Sequence, residues 1–299
     1  MRLPPCFCCM LFSLTWLPVV VSLLSPVAPA PLAPAAPRAT PTEAPTADHL
    51  LSRLSMAISK LQTLRCTVKA SERHAGSYQH ALTQMKVASS PLRVYLRTNQ
   101  GVEVLWVQGQ NDGDAWVYPN RFPYVTLSLD PNGTLMRRTQ HHSVADAGYG
   151  TIADLIRTAP QRSDAYRRSF RYAGDTTLQG RPCHVLRSDF PQFRYIAHKT
   201  SAGETAGKIA ERYGCGEYRI VERNKVDYTT PLPAGRVLQV PNAYGRRTIL
   251  CVEQKTMLPL AVAVWDDKGL FESFEFSQVV ANQPIAAVEF TKDYKDYRL

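Results

Sequence analysis

A period-two alternation of side chains, interrupted once, constrains this chain more than any other feature. Leu92, Val94 and Leu96 alternate with Arg93, Tyr95 and Arg97, and Val102, Val104 and Trp106 alternate with Glu103, Leu105 and Val107. The same period returns at 247–253, 260–265 and 270–279, where Phe271, Ser273 and Glu275 alternate with Glu272, Phe274 and Phe276. Successive side chains of a strand point to opposite faces, so each run predicts a strand with two distinct faces. Asn99-Gln100-Gly101, Asn111-Asp112-Gly113 and Asp130-Pro131-Asn132-Gly133 supply turns, and further strands are expected at 115–118, 124–129, 169–172 and 183–188. Short strands joined by tight turns make an antiparallel meander.

Helical spacing appears in separate stretches. Leu50, Leu51, Leu54, Ile58, Leu61 and Leu64 form one apolar face over 48–64, with Asp48 as the expected cap. Thr151 followed by Asp154 predicts a capping-box start to a helix through Thr158, ended by Pro160. Between the strands expected at 183–188 and 247–253 the alternation stops. Thr205–Tyr213 reads as a helix stopped by Gly214, Tyr218–Arg223 as a second short helix, and Val237–Val240 as a strand closed by Pro241. The fold class is therefore α+β: a β-rich body before and after a compact helical interruption.

The N-terminus is set aside from this fold. Arg2 is the only charge before Arg38, Met10–Leu24 is a mostly apolar run, and small residues and prolines follow, which is the order of a secretory signal peptide. The run is shorter than the ~20 residues of a membrane span; a retained anchor is the competing reading. Ala33-Pro34-Ala35 is the expected cleavage site, since Pro31 follows the alternative Ala28-Pro29-Ala30. Cys6, Cys8 and Cys9 precede the apolar run, which argues against a lipid-modified cysteine. The Ala/Pro/Thr-rich stretch 26–45 cannot bury a core and is expected to be an extended tether. The division expected is 1–35 signal peptide, 36–47 tether, 48–194 with 242–299 body, and 195–241 inserted module.

Net charge is +10 over 299 residues. A basic exported protein is drawn to anionic envelope polymers and lipids and is expected to be peripheral to the membrane. Its basic residues are scattered, without aromatic interleaving, so nucleic acid is not expected. Hydrophobic content of 44% is enough for a real core. Four cysteines follow the leader (Cys66, Cys183, Cys215, Cys251) and allow three pairings.

Catalytic motifs are missing. The chain has no H-E-x-x-H, G-x-S-x-G or phosphate loop. His141-His142 reads as a turn pair whose adjacent rings point apart and do not share a metal. Asp266-Asp267 and Asp112-Gly113-Asp114 read as turns, short of the ligands a calcium loop needs. No enzyme, cofactor or metal is expected.

Two resemblances sharpen this. Residues 195–241 resemble a LysM module through Gly203-Glu204-Thr205, Ile209-Ala210, Tyr213-Gly214, Ile220, Asn224, Leu232-Pro233-Ala234-Gly235 and Val237–Pro241. The resemblance implies a βααβ fold that binds N-acetylglucosamine polymers such as peptidoglycan or chitin. The implied groove lies between loops 201–206 and 224–235, with Gly203, Glu204, Thr205, Ala206, Asn224, Pro233, Ala234 and Gly235 as candidate glycan-binding residues. Ala206-Gly207 and Asn224-Lys225 depart from the usual family pattern.

The body resembles the LolA-like superfamily, a branch of unassigned function. The resemblance rests on its amphipathic first helix, Leu258-Pro259-Leu260, Asp267-Lys268-Gly269-Leu270, Phe274–Phe276, Asn282 and Glu289-Phe290-Thr291. It implies a curved antiparallel half-barrel around packed helices, with a cavity for a lipid or lipoprotein acyl chain. Trp106, Trp116, Phe122 and Phe274 are candidates to line it; an ordinary packed core is the alternative. If the module's end strands pair, its ends lie about 5 Å apart and it fits the tip of a host hairpin. With Arg187 opposite Arg247 in that hairpin, Cys183 would face Cys251 as a cross-strand disulfide.

Overall fold

The computed structural model describes residues 44–122, 124–156 and 163–299. The expected signal peptide, the start of the tether and the Thr158–Pro160 helix end lie outside these residues.

Helix α1 (Ala47–Ser59) is capped by Thr46, whose side chain accepts from the His49 N–H, and Asp48 sits in the first turn. This corrects the expected cap: Asp48 complements the helix dipole from inside the helix. The helix also ends earlier than its apolar series. Leu64 belongs to strand β1 (Thr63–His74) and is buried from there. The meander continues through β2 (Ser77–Ala88), β3 (Arg93–Thr98), β4 (Glu103–Val107), β5 (Ala115–Tyr118) and β6 (Leu127–Leu129). β6 is shorter than expected because Tyr124 takes a φ of 56°, which breaks the extended backbone.

Helices α2 (Gly150–Ile156) and α3 (Asp164–Arg168) follow. Thr151 lies inside α2, after Gly150, so it is not the cap the sequence suggested. Strands β7 (Phe170–Leu178) and β8 (Arg181–Asp189) lead into the interruption: β9 (Tyr195–Lys199), α4 (Ala206–Tyr213), α5 (Glu217–Asn224) and β10 (Val237–Pro241). Strands β11 (Arg247–Glu253), β12 (Pro259–Asp266) and β13 (Gly269–Ala281) complete the body.

The described residues form one 11-stranded sheet, in the order β6-β5-β4-β3-β2-β1-β13-β12-β11-β8-β7, and a separate β10-β9 pair. Every neighbouring pair is antiparallel. The expected fold class is therefore what the structure shows: a curved, open antiparallel sheet with packed helices and an inserted βααβ module. One face carries the main core, in which Leu50, Leu51 and Leu54 of α1 and Ile152 and Leu155 of α2 meet Val68, Val94, Val117, Val262 and Phe276. The other face carries a smaller cluster, Tyr95, Leu105 and Val107 with Phe290, Tyr297 and Leu299.

The module enters between β8 and β11, which pair directly, and its end strands pair with Tyr195 opposite Pro241. The register in the host pair corrects the disulfide expectation. Arg247 lies opposite Asp189, Cys251 opposite Val185 and Cys183 opposite Glu253, so the register is offset by two residues. The Arg247 guanidinium bonds Asp189 at 2.8 Å, a charge complement that an Arg187–Arg247 pairing lacks. Cys66, Cys183 and Cys251 are free thiols.

Candidate functional site

Loops 200–205 and 225–236 of the module are bonded to one another. Gly203 N donates to Leu232 O (3.0 Å), Leu232 N to Glu204 O (2.7 Å), Thr200 N to Arg236 O (2.9 Å) and Gly235 N to Thr200 O (2.8 Å). The Thr200 hydroxyl donates to Pro233 O at 2.6 Å. Gly203 (φ 78°) and Gly235 (φ 82°) adopt backbone angles that favour glycine, which explains the residue type at both bends.

The candidate glycan residues separate by side-chain role. Gly203, Pro233, Ala234 and Gly235 are exposed along the clasped loops. Glu204, Thr205, Ala206 and Asn224 are not free to meet a ligand with their side chains. Ala206 is fully buried in the module core. Thr205 caps α4 by accepting from Lys208 N. Asn224 bonds Ile220 O, Gln239 O and Gln239 N, tying the end of α5 to β10. The buried Glu204 carboxylate accepts from Ser201 N (2.8 Å) and His198 Nε2 (3.0 Å) and pairs with Arg212 (2.6 Å). Burial alone would raise its pKa, but these donors hold it below the ordinary carboxylate range.

The module is not held only at the tip of a hairpin. Tyr218 of α5 belongs to the main core, and its hydroxyl accepts from Ala75 N at 3.0 Å. Arg219 is 1% exposed; its guanidinium lies 3.6 Å from the Phe271 ring centroid and donates to Tyr244 O. Glu217 pairs with Arg137, Asp227 accepts from Thr134, and Tyr228 is buried beneath Arg137. Residues 44–299 accordingly form one compact unit.

Beneath α5 is a buried cluster. Glu72 on β1 and Glu272 on β13 stand directly opposite one another. His141 Nδ1 lies 2.8 Å and His142 Nε2 2.9 Å from the same Glu272 oxygen. This corrects the expectation that the two rings diverge: the chain bends at His141-His142, and both rings converge on one carboxylate. The Tyr244 hydroxyl donates to the other Glu272 oxygen (2.7 Å), and His141 N donates to Glu72 (2.7 Å). The His141 ring stacks between Phe271 (4.1 Å) and Tyr218 (4.4 Å). Burial would raise Glu272, yet the two imidazoles hold it well below the usual carboxylate range. Burial would lower His142, yet Glu272 raises it to about 9. Burial pushes Glu72 up.

An apolar cavity of about 130 Å³ opens beside this cluster, lined by Val68, Ala70, Met85, Leu96, Phe274 and Phe276, with Glu72 and His142 among its polar edge. Of the four lipid-cavity candidates, Phe274 is in this lining. Trp116 pairs with Leu105 on the other face of the sheet and packs with the smaller cluster there. Trp106, one residue from Leu105, points to the main-core side and bonds Gly113 O. Phe122 is 86% exposed. The volume is near the ~150 Å³ of a cavity that admits benzene and below the ~300 Å³ of ordinary ligand pockets. As it stands it fits a ring or a short alkyl segment, not a whole acyl chain.

Comparison with known proteins bears on both parts. Residues 198–241 match the LysM domain, and residues 61–202 match a family described as a protein of unknown function, DUF1571. A chitin elicitor-binding protein from Oryza sativa subsp. japonica is 32% identical over 68 residues, spanning 23% of this chain and 19% of that protein. Among solved structures, LprF from Mycobacterium bovis is similar over 80% of this chain and 94% of its own, at 10% identity and a TM-score of 0.41. LppX from Mycobacterium tuberculosis is similar over 79% and 97%, at 11% identity and 0.39. A DUF1329 family protein from Desulfovibrio piger is similar over 82% and 95%, at 11% identity and 0.35. The LysM domain match over residues 198–241 coincides with the paired-strand, two-helix module, which is set into an 11-stranded antiparallel body.

Proposed function

We propose that this chain is an exported, non-enzymatic binding protein of the cell envelope, whose LysM module holds peptidoglycan or a related N-acetylglucosamine polymer. The observation that carries the reading is the clasp: two loops bonded backbone to backbone, with Ala202, Gly203, Pro233, Ala234 and Gly235 exposed along it. Small side chains let a sugar approach the clasp closely, and proline and alanine offer apolar surface to its acetamide methyl. The rice relative's chitin-related name supports the same ligand class. The apolar leader and Ala/Pro/Thr-rich tether support export, and the charge of +10 suits an anionic wall. The body, in this reading, takes an apolar group in the cavity beside Phe274.

The test is co-sedimentation with purified peptidoglycan, together with calorimetric titration with neutral chitin oligosaccharides. Ala202→Arg and Ala234→Arg each crowd the exposed clasp without touching a core residue, and each is expected to weaken oligosaccharide binding at least tenfold. Undiminished binding by both variants refutes the groove. Failure of the folded wild type to bind either polymer refutes the sugar reading. That result favours the alternative of a scaffolding protein, to which the docking of α5 also lends support, since it makes the module part of the body's architecture.

A further inference from the structure

We propose that Glu72, His141, His142 and Glu272 form a binding site for one divalent transition-metal ion of the zinc class, at the joint between body and module. The donor atoms of all four lie within 4.8 Å of one another. His141 Nδ1 is 2.8 Å from Glu272 Oε2 and 3.7 Å from Glu72 Oε1, and His142 Nε2 is 2.9 Å from Glu272 Oε2. Bonds of about 2.0–2.1 Å in a tetrahedral site put donors about 3.3 Å apart. These three separations bracket that spacing, and the widest pair, within 4.8 Å, closes by at most about 1.5 Å around an ion.

The surroundings are those of a ligand set. His141 Nε2 lies 3.0 Å from the Arg73 carbonyl, which can take the ring proton from Nε2 once an ion sits between Nδ1 and the carboxylates. Tyr244 holds one Glu272 oxygen and leaves the other to the site. The His141 backbone N–H donates to Glu72 Oε1, the oxygen that faces His141 Nδ1, and so fixes where that carboxylate sits. Both glutamates come from facing positions of adjacent strands, where like charges destabilise the sheet unless a cation joins them. An ion that binds displaces the proton His142 otherwise carries, and the two carboxylates with two neutral imidazoles then carry a charge of −2, which one divalent ion balances. Magnesium and calcium prefer all-oxygen shells of six or more ligands, whereas a mixed imidazole and carboxylate set suits zinc and its first-row neighbours. His142 is partly exposed, and a second cavity of about 220 Å³, lined by His141, His142 and the α4–α5 turn, gives an ion a way in.

The experiment uses the untagged full chain, stripped with chelator and titrated with zinc, with metal stoichiometry by mass spectrometry and stability by thermal unfolding. One equivalent of zinc is expected, with Tm raised about 5–10 °C at a hundredfold excess over Kd. Calcium is expected to do neither. Cobalt(II) is expected to give the visible bands of a tetrahedral site, without thiolate charge-transfer absorption from the cysteines. His142→Gln, at the partly exposed position, and Glu72→Gln are each expected to weaken zinc at least 100-fold while folding normally. His80→Gln, outside the cluster, leaves binding unchanged. Zinc binding equal to wild type in both cluster variants overturns the proposal, as does a folded wild type that takes up no zinc. The second outcome leaves the cluster as a metal-free network of imidazoles and carboxylates.

Discussion

Arg219 offers the sharpest check on whether module and body are one structure. Its guanidinium is buried on the Phe271 ring, donates to Tyr244 O and lies 3.7 Å from Asp266. Asp266 does not depend on it, because Arg73 pairs with the same carboxylate at 2.5 Å. Arg219→Met keeps most of the packed volume and leaves the Tyr244 carbonyl short of one donor, a loss of about 1–2 kcal/mol. Arg219→Ala also opens a cavity under α5 and is expected to cost about 3–5 kcal/mol, in the range of other large buried truncations. For a domain of this size that lowers Tm by about 10 °C. The assay is urea unfolding followed by two signals. Trp106, Trp116 and Trp265 all belong to the body, and the module contains no tryptophan. Tryptophan fluorescence therefore reports the body, while far-ultraviolet circular dichroism reports both parts. Arg219→Ala should shift both transitions together. A fluorescence transition left at its wild-type midpoint, with only a helical fraction melting early, refutes the integral docking. So does a methionine variant as damaged as the alanine variant.

Three further outcomes follow from the same geometry. Asn224→Ala removes bonds to Ile220 and Gln239 and is expected to cost about 1–3 kcal/mol in urea unfolding, so any loss of sugar binding in that variant reflects loosening of the loop. Burial pushes the Cys66 thiol up to about 12 and also raises Cys183 and Cys251, so a thiol reagent at pH 8 should react slowly with the native protein. All four thiols should react in denaturant, and mass mapping that finds a Cys183–Cys251 bridge contradicts this. Glu204 titrates below its usual value near 4.5, so the unfolded chain binds more protons between the two values. Its stabilising share is present above pH 4.5 and disappears as pH falls through the native value; Glu204→Gln should flatten that part of the acid-unfolding curve.

The sheet was legible because period-two alternation is a local property. Strand β5 was expected at its observed limits, and so was β11, since alternation and turn residues determine both. Register is not local. The host pair is offset by two residues from the expected register because Asp189, beyond the strand expected at 183–188, supplies the partner for Arg247. The module's two helices and last strand could be read from helix stops and glycines, its βααβ fold only through the resemblance to LysM, and which of its polar residues face inward could not be read at all. Glu204 and Asn224 are as polar as any ligand-binding residue, and only the positions of Ser201, His198 and Gln239 show that their bonds are already made. The buried cluster left one trace in the sequence. Glu272 shares its strand face with Phe274 and Phe276, a carboxylate on an otherwise apolar side. Its partners lie far away in the chain, so the trace had no evident meaning without the sheet order.

That order also explains why the module docks where it does. The turn-rich segment 133–142 is held from two sides. The module grips it through Thr134 with Asp227, Arg137 with Glu217, and Tyr218 stacked on His141. The body grips it through Glu72 and Glu272, which hold the backbone of His141 and the rings of both histidines. Arg137 joins the two sets, because the same guanidinium that meets Glu217 also donates to the His141 carbonyl. The two facing carboxylates on β1 and β13 thus meet His141 and His142 through this segment, which has the module's second helix as its outer wall. The insertion therefore packs against the segment that covers these two buried carboxylates. Loop 225–236 joins these contacts at its start, through Asp227 and Tyr228, while its far end at Pro233–Gly235 and the facing Ala202–Gly203 stay exposed.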